Sequence, residues 1–250
     1  MGIEALLIAA AVAGSPAADC AAAGAKQPAL RKVIDAAAAL RQAASQPEAS
    51  FSRLVAQAKS LSALGKSALS QIQEAGCADE AQTALLEACT APLTWSCESV
   101  PPGIDWSFLS RVKRSEDEDL ALSLGDPILA GPVNLFATCC GDFGCIERGV
   151  GVPGSLYQDE TAGQLVRLAG FKTAFGRTAL ETLRKSSAGL ARASCTCDDS
   201  SPEDRAGLAA KLSASAKTSP ADSAAPLRAI SAALKKGFPK KPCAMPGGGD

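Results

Sequence analysis

Histidine is absent from this chain. Its absence removes the commonest general base, the commonest zinc ligand and the usual partner of a nucleophilic serine or cysteine. Aromatic residues are scarce, at 4%, and the 25 basic residues are balanced by 26 acidic ones. A nucleic-acid surface needs a basic face and usually stacking rings, so no nucleic-acid partner is implied. Beyond the N-terminus no apolar run is long enough to span a bilayer. No segment sustains the apolar–polar alternation of a strand, so no sheet is expected. Catalysis would have to rest on Glu, Asp, Lys or Cys; the reading leans against an enzyme, and no cofactor is implied.

Alanine and cysteine are plentiful instead. Hydrophobic residues make up 47% of the chain, much of it alanine, the best helix former and a poor strand former. The expected fold is all-α, a multi-helix array of roughly seven to nine helices with irregular loops crosslinked by disulfides. A chain of 250 residues can bury a real core, as one large domain or two small ones.

The ten cysteines are Cys20, Cys77, Cys89, Cys97, Cys139, Cys140, Cys145, Cys195, Cys197 and Cys243. An even and high count points to an oxidising compartment. Residues 5–13 form a short apolar run followed by small residues, with cleavage positions after Ala13 or around Ser15–Ala18. That pattern resembles a secretory signal peptide over residues 1–18, although the first residues carry Glu4 and no Lys or Arg. The location expected from both signals is secreted, periplasmic or cell-envelope, with an unidentified protein or envelope partner and no transmembrane span in the mature chain.

Helical periodicity organises the rest. Residues 19–90 read as an N-terminal helical hairpin region. Leu30, Val33, Ile34, Ala37 and Leu40 share one helical face behind Pro28, and Phe51, Leu54, Val55, Ala58 and Leu61 share another in a longer helix ending at Gly76. A third helix from about Asp79 to Cys89 would separate Cys77 from Cys89 by about 18 Å, too far for a bond between them. Residues 91–103, with Trp95, Cys97 and Pro101-Pro102, read as a loop or linker. Residues 104–243 read as a cysteine-rich helical region and 244–250 as a disordered tail. Within that region Ser115 and Glu118 have the spacing of a capping box before an acidic first turn. Helical spacing continues from Glu160 to Ala188, with a bend expected at Gly170. Ser201-Pro202 and Ser219-Pro220 each open a further helix.

The segment Cys139-Cys140-Gly-Asp-Phe-Gly-Cys145 breaks this pattern and marks the organising loop. Its spacing lacks the Cys-x-x-Cys of a thioredoxin-like redox site and the third ligand of a plant-type iron–sulfur run. Cys195-Thr-Cys197 is too tight for a zinc knuckle. Structural disulfides are the preferred reading, joining the central loop to Cys195–Cys197 and Cys89 to Cys97; a cysteine-ligated metal site is the alternative.

Three further motifs have plain explanations. Ser110-x-x-Lys113 matches the nucleophile pair of penicillin-recognising enzymes but lacks its companion motifs, and reads as exposed surface. Arg111-Val112-Lys113-Arg114 has the look of a dibasic processing site; a basic helix end facing an acidic helix start is the preferred reading. The run Glu116–Asp119 reads as a capped, solvated helix start rather than a cation site. The function expected is therefore that of an exported, disulfide-stabilised helical protein with a structural or protein-interaction role.

Overall fold

A computed structural model of the chain describes residues 16–25, 27–97, 102–137, 149–152, 156, 159–196, 201–241 and 243. The fold is all-α, with ten α-helices among the described residues. The chain divides into two compact units, Met1–Lys113 and Arg114–Asp250.

Unit 1 contains α1 (Pro16–Gly24), α2 (Pro28–Ala44), α3 (Phe51–Gly76) and α4 (Glu80–Thr90). Helix α1 occupies residues 16–18, at the end of the stretch expected to be a leader, and runs on past Cys20. Pro28 sits in the first turn of α2, where its missing N–H costs nothing. The faces read from periodicity are buried, Leu30, Val33 and Ala37 on α2 and Phe51, Leu54 and Leu61 on α3, and the two helices pack together. Asp79 caps α4, its carboxylate accepting from the Gln82 N–H at 2.9 Å.

Residues 93–97, within the expected linker, pack inside unit 1. Here β1 (Leu93–Thr94) pairs antiparallel with β2 (Gly103–Ile104), Leu93 opposite Ile104. The ribbon reaches α3 because α3 has glycines where it docks. A Cβ on Gly65 would stand 2.7 Å from Leu93, and one on Gly76 would collide with the Trp95 ring. A 3₁₀ turn, Trp106–Leu109, capped by Asp105, completes the unit.

Unit 2 contains α5 (Glu116–Leu124), α6 (Asp126–Leu129), α7 (Asp159–Ala169), α8 (Ala174–Ala191), α9 (Pro202–Thr218) and α10 (Ala221–Lys236). Gly125, at φ +64°, ends α5 in a conformation other residues rarely adopt. The helix expected to bend at Gly170 is two helices, since Thr173 caps a new start by accepting from the Gly176 N–H at 3.2 Å. Helix α8 packs against α7, α6 and α10, and α10 against α9.

The expectation of no sheet is corrected in both units. In unit 2, β3 (Gly149–Val150) runs parallel to β4 (Cys195–Thr196), and Ala137 bridges antiparallel to Val150. On the far side of β4, the Thr196 N–H donates to Lys241 O at 2.9 Å and the Cys243 N–H to Thr196 O at 3.1 Å. Strands of two residues are too short to carry an alternating pattern, so periodicity does not reveal them.

Candidate functional site

The cystines are the clearest chemical feature that the fold assembles. Cys20 on α1 bonds Cys89 at the end of α4, with Cα atoms 5.5 Å apart; Cys77, just past α3, bonds Cys97 at 5.7 Å; Cys195 on β4 bonds Cys243 at 4.8 Å. All three separations lie in the usual range for a disulfide. Among the described residues no cysteine is free.

Cys77 and Cys89 have different partners, as the length of α4 requires. The expected Cys89–Cys97 pairing is corrected, and so is a bond from the central loop to Cys195. Cys89 does not join Cys97: it is fully buried where α4 packs on α1, so Cys20 is its neighbour. Cys97 instead follows Trp95 back to the end of α3, where Gly76 leaves room for the ring. Cys195 does not join the central loop, because the C-terminal segment pairs along β4 and delivers Cys243 to it. Cys139, Cys140, Cys145 and Cys197 lie outside the described residues.

Between α1, α3 and α4, unit 1 has an open groove of about 420 Å³. Its walls are Asp19 and Ala22 of α1, Ala75 of α3, Leu85 and Leu86 of α4, and Gln27, whose Oε1 has no hydrogen-bond partner among the described residues. The groove can seat apolar groups on alanine and leucine and offer acceptors to a donor. Asp19 is its one ionisable wall residue, and the wall holds no nucleophile paired with a base. Unit 2 has a small gap of about 10 Å³ among Leu135, Phe136, Leu165, Leu183, Leu212 and Ile230. With no polar partner, a space that size stays dry and serves packing.

Two charged residues, Arg41 outside any motif and Asp117 within the acidic run, make hydrogen bonds that hold the fold. Arg41 on α2 donates to Cys89 O at 3.3 Å and to Ala91 O, satisfying carbonyls at the C-terminus of α4. Burial lowers its pKa. Asp117 is 8% exposed and accepts from the Ser115 hydroxyl at 2.7 Å. Burial pushes its carboxyl up, but hydrogen bonds from Ser115, Thr173 and the backbone N–H groups of Asp117 and Glu118 outweigh it. The net pKa lies below the ordinary carboxylate value.

The acidic run is therefore a worked cap, and not uniformly solvated. The Ser115 N–H donates to Glu118 Oε2 at 3.0 Å, completing the capping box. Glu116 pairs with Arg167, and Asp119 with Arg114 at 2.6 Å. Ser110 and Lys113 are both exposed, after the 3₁₀ turn and away from the groove wall. Among the described residues no group of three or more Cys, Asp or Glu side chains could hold a metal ion, and no helix is long and apolar enough to cross a membrane. In comparisons with known proteins, no family model, curated protein or solved structure matches the chain.

Proposed function

We propose that the chain is an exported, disulfide-stabilised helical protein with a structural or protein-interaction role. One observation carries the reading: every described cysteine is in a disulfide. Bonds of this kind persist in oxidising compartments and are rare where glutathione and thioredoxin act. The apolar run at residues 5–13 supplies the route, and Cys20 narrows the processing position. Because Cys20 is bonded inside unit 1, the leader is removed before it; a cut after Ala13 leaves α1 whole, whereas one after Ala18 removes its first turn.

The groove of unit 1 and the absence of a nucleophile–base pair in its wall favour binding over chemistry. The test is an intact mass of the native protein purified without reductant. Each disulfide removes about 2 Da, so export with full oxidation predicts a loss of about 10 Da from the chain that starts at Gly14. Fully reduced thiols on an unprocessed chain would refute the reading. A loss of about 6 Da with a retained metal would assign Cys139, Cys140, Cys145 and Cys197 to a tetrathiolate site.

A further inference from the structure

We infer that the chain is a precursor, hydrolysed after Arg114 by a dibasic-specific processing protease into two separately crosslinked proteins. This rests on the export reading, because such proteases meet their substrates in a secretory route. Arg111-Val112-Lys113-Arg114 supplies arginine at the first and fourth positions before the cut and lysine at the second. Three structural observations turn that common pattern into a specific position.

The first is where the chain divides. Unit 1 ends at Lys113 and unit 2 begins at Arg114, within the motif itself. The 3₁₀ turn is over at Leu109 and α5 starts at Glu116, so the cut severs no helix or strand. The second is the disulfide ledger. Unit 1 owns Cys20, Cys77, Cys89 and Cys97, and all four are consumed in two bonds within it. Cys195 and Cys243 close within unit 2, and the remaining cysteines all follow Arg114 in sequence. No cysteine of unit 1 is left to tether the products.

The third is local chemistry. Residues 113–115 lie outside any helix or strand, and Arg111, Lys113 and Ser115 are exposed. A basic helix end against an acidic helix start accounts for Arg114, which pairs with Asp119; it does not account for Arg111 or Lys113, which make no ion pair among the described residues. The Arg114 side chain is only 18% exposed beside Asp119, so the protease must draw it out of that pair. Val112 is 7% exposed, so the protease must open the turn in which the Val112 N–H donates to Leu109 O.

Hydrolysis adds one water across the Arg114–Ser115 bond, leaving a carboxylate on Arg114 and an ammonium on Ser115. The new ammonium keeps its acceptor, Glu118 Oε2, 3.0 Å from the Ser115 nitrogen. Helix α5 thus retains its cap after the cut.

The experiment secretes the full chain behind a supplied leader from cells with and without a dibasic-specific processing protease. Supplying the leader separates this question from whether the chain's own leader works. The expected result is a fragment with Ser115 at its N-terminus, made only with the protease and separating from unit 1 on a denaturing gel without reductant. Arg114→Lys keeps a cation facing Asp119 and removes the arginine that the protease requires; Arg111→Ala changes an exposed side chain. Both variants should be secreted intact and lose the fragment. Persistence of the single full-length chain in the presence of the protease overturns the inference, as does cleavage that R114K fails to block. Fragments that separate only after reduction also overturn it.

Discussion

Among the described residues, four of the six cysteines lie in unit 1 and two in unit 2, whereas five of the six buried polar side chains lie in unit 2. In unit 1, covalent bonds hold peripheral pieces onto the α2–α3 pair: the short α1 through Cys20–Cys89, and the Trp95 segment through Cys77–Cys97. In unit 2, buried hydroxyls bind one element to the next. The Ser231 hydroxyl on α10 donates to Ala209 O on α9 at 2.7 Å, Thr182 on α8 donates to Pro127 O at 3.3 Å, and Ser186 accepts from the Leu135 N–H at 3.0 Å. A cystine acts chiefly by restricting the unfolded chain and tolerates a poor core. A buried hydroxyl helps only where surrounding packing already excludes water and fixes its partner. Reduction should therefore release the peripheral pieces of unit 1, whereas unit 2, which also holds Cys195–Cys243, should be the more sensitive to small changes in its interior.

The strongest way to break that contrast is to remove Cys20–Cys89, which closes a separation of 69 residues. Replacing both cysteines by alanine should cost about 4 kcal/mol on the chain-entropy relation. In native-state hydrogen exchange the loss should appear in α1–α4 and leave α7–α10 unchanged; equal loss in both sets would end the distinction. Removing Cys77–Cys97, with a separation of 20 residues, should cost about 3 kcal/mol by the same relation. It should also raise the fluorescence sensitivity of Trp95 to quenchers.

Ser186→Ala probes the other unit. It leaves the Leu135 N–H without its acceptor, at about 1–3 kcal/mol. The Leu135 amide should exchange faster with every disulfide left intact. The smallest effect concerns Asp117. Because its folded pKa lies below the ordinary 3.8, its contribution is fully present above that value and disappears as pH falls through the lower folded value. Thermal melts across the acid range should show this dependence in the natural chain and its weakening in Asp117→Asn. An unchanged profile would remove Asp117 from the account of unit 2.

Much of the helical frame is readable from residue order, because Leu30, Val33, Ile34 and Ala37 recur at the period that buries one helical face, and Pro28, Asp79 and Ser115 punctuate helix starts with known chemistry. Cystine pairing is not local in that sense. Cys89 and Cys97 are close in sequence, yet the inward face of α4 and the landing of Trp95 at Gly76 send them to Cys20 and Cys77. Likewise Asp117 sits in a run of four acids with nothing in residue type to mark it as the buried one. Helical phase separates it from Glu116 and Asp119, and Thr173, far along the chain, completes its hydrogen bonds. Arg41 reads as an ordinary helix-surface cation until α4 ends beside it.

The bridge between Ala137 and Val150 has a further consequence. It holds Ala137 and Val150 opposite each other, so the described chain on either side of residues 138–148 meets at one place. Loop-closure entropy rises slowly, by about 0.6 kcal/mol for each doubling of length. An insertion between Ala137 and Val150 that doubled that length should therefore cost the closure of the bridge little.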